Sequence, residues 1–113
     1  EIEVGGKKYT IVTLVGKYNE HALKLSQDPW YGDHTGGSAQ AFAAALNVHL
    51  GRPNTDHLSP CFAYKMENAN FQGEFIMGGF WSQPPESSGS TIIRQMPHAF
   101  TDGFTWATVK LVP

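Results

Sequence analysis

The sequence predicts an α+β domain in which two helices pack on one face of an antiparallel β-sheet. Three observations carry this prediction: a β-branched alternating segment near the N-terminus, two helical segments in the first half, and several short strand-like segments in the second half. The chain has 113 residues, the length of one domain, so residues 1–113 are expected to fold as a single unit.

The N-terminal segment has the composition of a hairpin followed by a strand. Gly5-Gly6 is a turn signal, and Ile2 to Val4 is the short partner strand before it. In the segment Tyr9 to Val15, five of the seven residues are β-branched, which favours a pleated strand with both faces partly covered. Gly16 ends the pattern.

Two helices follow this strand. The first is short, with Asn19 as its expected N-cap and Asp28-Pro29 as its end, because the residue before a proline avoids the helical region. The second is expected over 38–50, where apolar residues recur at intervals of three and four. Ser38 is its expected N-cap and Gly51 its left-handed C-terminal residue.

The second half of the chain predicts five further strands. They are Cys61 to Lys65, Phe71 to Ile76, Phe80-Trp81, Thr91 to Gln95 and Phe104 to Leu111. The segment 83–90 is rich in Pro, Ser and Gly and predicts a surface loop.

Composition and charge exclude several classes of partner. Only 16% of residues are charged, against about 25% in an ordinary soluble domain. The net charge is −2 and the eight basic residues are scattered, so nucleic acid is not an expected partner. No apolar run approaches the roughly 20 residues of a membrane span, so neither a span nor a signal peptide is expected within this chain.

Two Asp–His pairs are the candidate metal ligands. Asp33-His34 and Asp56-His57 both fall in predicted loops, and carboxylate with imidazole suits zinc or another transition metal. Their spacing matches no compact metal motif, and Asp and His are also ordinary loop residues that bond their own backbone. The loop interpretation is therefore preferred, and no cofactor is expected.

Cys61 is the candidate nucleophile, since His57 precedes it by four residues. A reactive thiol needs a lowered pKa, whereas the position between Pro60 and Phe62 predicts a buried, unreactive one. The segment Thr35-Gly36-Gly37-Ser38 before a helix resembles an anion cradle, but the loop-and-cap interpretation is preferred because the phosphate-binding lysine pattern is missing.

Three aromatic residues are the candidate ligand or interface residues. Trp30 and Tyr31 follow a proline in a predicted loop, and Trp81 precedes the predicted loop 83–90. Exposed aromatic side chains stack on sugar rings or anchor protein interfaces. The alternative is that they close the ends of a small core.

Several short motifs give the chain a family resemblance. They are Pro29-Trp30-Tyr31-Gly32-Asp33, Ala41-Phe42-Ala43, Leu50-Gly51, Pro53-Asn54, Pro60-x-Phe62-Ala63-Tyr64, Trp106-Ala107-Thr108 and Val112-Pro113. Together they resemble small exported bacterial proteins, many of them cyanobacterial or proteobacterial, that carry a Pro-Glu-Pro C-terminal sorting signal (PEP-CTERM type). The signal itself does not occur in these 113 residues. The resemblance implies an extracellular or cell-surface location and no reaction.

Three functional hypotheses follow. The first is a non-enzymatic exported protein of the cell surface or extracellular matrix that contacts other copies of itself or extracellular polysaccharide. Its self-association is expected through Ile2 to Val4, pairing with a sheet edge of a neighbour, or through Trp30-Tyr31. The second is a carbohydrate-binding module that uses the loop aromatics, and the third is a small metal- or thiol-dependent enzyme. The absence of a nucleophile–base signature favours the first.

Overall fold

The structure of the protein is a computed structural model that describes residues 2–33, 35–47, 51, 53–54, 58–69, 73–84, 88–97 and 103–109. Strands and helices follow one another in the order β1 (Ile2–Val4), β2 (Lys7–Tyr9), β3 (Ile11–Val15), α1 (Tyr18–Leu25), α2 (Gly37–Leu46), β4 (Phe62–Ala69), β5 (Gly73–Ser82), β6 (Ser90–Pro97) and β7 (Thr105–Val109).

The described part of the chain is mostly β, so the predicted α+β class is wrong. Its seven strands form three antiparallel sheets, with the orders β1-β2, β3-β7 and β4-β5-β6. The two helices have only 8 and 10 residues. Neither helix in this part is long and apolar enough to cross a membrane.

The two helices also do not share one face of a sheet. Successive side chains of a strand point to opposite faces. Phe62 and Tyr64 belong to the cluster that contains Phe42 of α2, whereas Ala63 between them belongs to the cluster that contains Leu25 of α1. The two clusters therefore lie on opposite faces of the β4-β5-β6 sheet, with α2 on one side and α1 on the other.

The N-terminal hairpin is confirmed, but the predicted continuous strand is divided at Thr10. Before it, β2 pairs back onto β1, with Ile2 opposite Tyr9. After it, β3 pairs with β7, with Ile11 opposite Val109. The β-branched segment thus serves two sheets, and a pattern of strand propensity alone does not mark the break.

Both predicted N-caps are wrong. The first helix begins at Tyr18 after Lys17, so Asn19 lies inside it. The second begins at Gly37 after a left-handed Gly36, so Ser38 is also inside. It ends at Leu46 because Asn47 adopts a positive φ of 52°, outside the helical region. Gly51 is therefore not its C-terminal cap, and positions 48–50 lie outside the described residues.

The predicted strands around Phe71 to Ile76 and Phe80-Trp81 form one strand, β5, which passes through Gly78 and Gly79. A side chain on Gly79 would meet Ala39 of α2 at 3.0 Å, and one on Gly78 would collide with Cys61 Sγ. These glycines allow α2 and the thiol to approach opposite faces of the sheet, and are not turn residues here. Phe71 lies outside the described residues.

Candidate functional site

The thiol of Cys61 is completely buried, as the sequence predicted. Burial raises its pKa well above the ordinary value, because desolvation penalises the thiolate. The backbone of Cys61 joins the start of β4 to β7: its N–H donates to Thr105 O at 3.0 Å, and Ala107 N–H donates to Cys61 O at 2.8 Å. The residue holds two sheets together, and its neighbour in the hypothesis, His57, lies outside the described residues.

Asp33 occupies the position where an external anion would bind. Its Oδ1 accepts hydrogen bonds from Thr35 Oγ1 at 2.7 Å and Thr35 N at 3.2 Å, and its Oδ2 accepts one from Ser38 N at 2.9 Å. The Thr35 hydroxyl and the Ser38 amide hold the pKa of Asp33 down at about 2. The chain's own carboxylate therefore fills the predicted anion cradle and caps α2.

The other three candidate metal ligands, His34, Asp56 and His57, lie outside the described residues. Within the described ranges, no group of three or more His, Cys, Asp or Glu side chains is placed to hold a metal ion.

Trp30 lies in the core. Its side chain is fully buried, and its ring contacts the rings of Phe42 and Phe62 with centroids 4.8 Å apart in each case. Tyr31 is half-buried, and its hydroxyl accepts a hydrogen bond from Tyr18 at 3.0 Å. The ring of Trp30 is therefore not exposed to a ligand, and the hydroxyl edge of Tyr31 is occupied by its hydrogen bond with Tyr18.

Trp81 keeps part of its ring at the surface. Its Nε1 donates to Gln83 Oε1 at 3.2 Å, and the ring packs beside Gly89. A shallow cavity of about 450 Å³ lies next to it and is lined by Ser82, Pro84, Ser88, Gly89 and Ser90. Of the three candidate aromatics, Trp81 alone is partly exposed and lies next to a cavity lined by serines.

A second cavity, of about 300 Å³, contains an acid that sequence reasoning did not single out. It lies between α1 and the end of the β3-β7 sheet, and Asp28 lines it together with Tyr9, Leu23, Lys24, Pro29 and Val109. Burial raises the pKa of Asp28 to about 6, although hydrogen bonds from Thr108 and Val109 oppose the shift. Its Oδ2 is buried and has no hydrogen-bond partner among the described residues.

In an antiparallel sheet, hydrogen-bonded residue pairs alternate with non-hydrogen-bonded ones, and this alternation determines which backbone groups of the β3-β7 sheet face outward. Gly16 N donates to Phe104 O at 3.0 Å, so that pair is a hydrogen-bonded one. Bonded pairs recur every second residue, so Val12 and Leu14 also direct their N–H and C=O groups toward β7. The N–H and C=O groups of Ile11, Thr13 and Val15 point away from β7, and we call them the outer edge of β3.

The corresponding far side of β7 is filled by other parts of the chain. Thr105 N donates to Asn54 Oδ1, Thr105 O accepts from Cys61 N, and Ala107 N donates to Cys61 O. Val109 N donates to Asp28 Oδ1 at 3.2 Å. Each contact lies on the side of β7 away from β3, in agreement with the alternation of hydrogen-bonded pairs between the two strands.

The outer edge of β3 is much more open. Among the described residues, no strand pairs with it, and His21 Nε2 donates a hydrogen bond to Val15 O at 2.9 Å. Thr13 is exposed, and 61% of Val15 remains accessible to solvent. The sequence identified this strand, but only the register with β7 shows which of its backbone groups are available.

Comparison with protein-family models, with curated proteins and with solved structures finds no match for this chain.

Proposed function

We propose that this chain is a non-catalytic protein of the bacterial cell surface or extracellular matrix that works through contacts with other copies of itself and with matrix polymers. One observation supports this best: of the reactive groups that the sequence offered, the two that the structure describes are unavailable for chemistry. The thiol of Cys61 is fully buried, and Asp33 caps α2 with both carboxylate oxygens. A nucleophile needs access to its substrate, and a metal ligand needs an oxygen that is free to bind the metal.

The surface of the molecule supports the same proposal. Among the described residues, three large apolar side chains are exposed, Val15 at 61%, Leu23 at 77% and Met66 at 41%. The low net charge of −2 imposes little electrostatic repulsion between copies. Such a surface favours association over the mutual repulsion that keeps highly charged proteins apart.

The proposed location depends on the family resemblance of the turn and helix motifs, such as Pro29-Trp30-Tyr31-Gly32-Asp33. In the fold, this segment connects α1 to α2, with Trp30 in the core and Asp33 at the start of α2. A role at the cell surface is compatible with a protein whose one cysteine is buried and needs no reducing compartment.

Light scattering and co-sedimentation test the proposal. The purified chain is expected to show a mass that rises with concentration, or to co-sediment with an acidic or neutral bacterial exopolysaccharide. A chain that stays monomeric at millimolar concentration and leaves the polysaccharide in the supernatant would contradict it, and stoichiometric zinc binding would favour the metal-site hypothesis instead.

Trp81 favours carbohydrate as the second candidate function. Its partly exposed ring lies beside a cavity lined by three serines, Ser82, Ser88 and Ser90, an arrangement suited to stacking a sugar and bonding its hydroxyl groups. Trp81→Ala should abolish retention on immobilised polysaccharide, whereas Tyr31→Phe, at another predicted aromatic, should leave it unchanged. Equal retention of both variants and the parent would argue against the site.

A further inference from the structure

We propose that two copies of this chain associate by antiparallel pairing of β3 with β3 through the outer edge defined above. The inference rests on the proposed function, because it names the contact by which copies of the chain associate. It also replaces the sequence-based expectation for that contact, since Trp30 is wholly buried and β1 carries the charged residue Glu3, whereas β3 carries no charge.

The backbone groups of the outer edge are self-complementary. When β3 pairs with a second β3 about a twofold axis at Thr13, each Thr13 lies opposite the second copy's Thr13, and Ile11 lies opposite the second copy's Val15. These are the residues whose N–H and C=O groups point away from β7, so each pair forms as a hydrogen-bonded pair. The bond from His21 to Val15 O persists, because a carbonyl oxygen has two lone pairs.

Natural proteins usually protect an open strand edge with charge or proline. The other open-edged strands described here carry such residues: β4 has the Lys65–Glu67 ion pair, at 2.7 Å, and β6 contains Arg94 and ends at Pro97. In contrast, β3 reads Ile-Val-Thr-Leu-Val, without charge and with four β-branched residues. The uncharged, β-branched side chains of β3 favour pairing with another strand, whereas the charged residues and proline of β4 and β6 oppose it.

Pairing also completes a sheet that is small in one copy. An isolated two-stranded sheet is marginal in water. The β3-β7 sheet has two strands and is joined to the start of β4 through Cys61, and β3–β3 pairing converts two such sheets into one with the order β7-β3-β3-β7. The exposed Val15 then lies opposite Ile11 of the second copy, whose side chain is buried in its own core, so the contact is made chiefly through the backbone.

The symmetry of this contact limits the assembly. A twofold contact uses the same surface on both copies and closes on itself, so it produces a dimer and not a filament. The expected mass therefore approaches twice that of the chain and levels off there. Larger assemblies would require a second contact elsewhere on the surface.

Substitutions at Thr13 test the proposal by sedimentation equilibrium. Thr13→Val leaves the edge uncharged and is the matched control, so it should dimerise like the parent. Thr13→Lys and Thr13→Glu each place like charges opposite one another at the twofold axis, and each should weaken dimerisation more than tenfold, roughly. An equimolar mixture of the two should recover heterodimers, because lysine then faces glutamate.

Each outcome is decisive for a different claim. A parent that dimerises with the same Kd as Thr13→Lys would overturn the β3 contact and leave the proposed function standing. Charged variants that fail to recover in the mixture would overturn the antiparallel register. A parent that is monomeric at millimolar concentration would overturn β3 pairing, and it would overturn the proposed function as well if the chain also failed to bind polysaccharide. Near-ultraviolet circular dichroism confirms that each variant is folded, and Val15→Lys at the end of the same edge replaces any variant that is not.

Discussion

The hydroxyl of Thr108 donates a hydrogen bond of 2.7 Å to Asp28 Oδ1 across 80 residues of sequence. Both side chains are buried, and Val109 N donates to the same oxygen. This contact fastens the segment after α1 to β7, on the side opposite β3. It also leaves a carboxyl group in the interior whose second oxygen has no partner among the described residues.

Stability should fall as the pH rises through the titration of Asp28. Its pKa is raised by burial from 3.8 to about 6, so the folded state binds a proton that the unfolded state has already released. The stabilisation is full below about pH 4 and is lost as the pH passes 6, a difference of about 3 kcal/mol for a shift of this size. Urea unfolding of the parent and of Asp28→Asn at pH 4 and pH 8 measures it, because the variant lacks this titration. An equal pH dependence in both proteins would contradict the assignment.

Asp33 should have the opposite pH dependence. Its pKa is lowered to about 2 by hydrogen bonds from Thr35 and Ser38, so its stabilisation is present above pH 4 and disappears as the pH falls through 2. Asp33→Ala should lower the midpoint of thermal unfolding at pH 7 and make no difference near pH 2. Asp33→Asn, which retains one acceptor oxygen, is the control and should lose less. An undiminished midpoint for Asp33→Ala at pH 7 would show that α2 does not depend on this cap.

Phe42→Ala should cost about 3–5 kcal/mol of unfolding free energy, the range for truncation of a buried aromatic side chain. The Phe42 ring is 4% exposed and contacts the rings of Tyr9, Trp30 and Phe62. Leu23→Ala, at a residue 77% exposed, should change the stability by less than about 0.5 kcal/mol in the same urea titration. A loss below about 1 kcal/mol at Phe42 would mean that the ring is not part of the core.

The thiol of Cys61 should react only when the chain unfolds. It is fully buried, so a reagent cannot reach the sulfur, and its pKa is raised by desolvation, so the reactive thiolate does not form at neutral pH. A chromogenic disulfide reagent should label the native parent at the rate of unfolding, while Leu23→Cys gains one thiol that reacts at once. Immediate labelling of Cys61 in the folded parent would revive a thiol-enzyme hypothesis.

The sequence predicted the local structure of individual segments better than the way these segments are arranged in the fold. The hairpin at Gly5-Gly6, the core position of Phe42 and the burial of Cys61 follow from turn chemistry, helical spacing and neighbouring residues, and all three are confirmed. The fold class was wrong because the strands are longer and the second helix shorter than the patterns predicted. Gly78-Gly79 reads as a break between strands, whereas their lack of side chains serves the close approach of Ala39 and Cys61 to one long strand. Such a distinction depends on what packs against the glycines, which a single sequence does not contain.

The candidate site was harder still to predict. Asp33 was singled out as a candidate metal ligand, whereas its hydrogen-bond partners Thr35 and Ser38 are local and it caps α2. Asp28 was seen only as a helix end, because the groups that make it unusual, Thr108 and Val109, are 80 and 81 residues away. Long-range contacts determine both the burial of an acid and the availability of a strand edge.

Amide hydrogen exchange at Thr13, followed residue by residue by NMR at low and high protein concentration, tests the β3 contact most directly. In one copy, Val12 and Leu14 donate to β7 and should be protected at every concentration, whereas the outward amide of Thr13 should exchange quickly. At concentrations where the mass doubles, the Thr13 amide should become protected in the parent and in Thr13→Val. A doubling of mass with the amide of residue 13 still exchanging quickly would contradict β3 pairing.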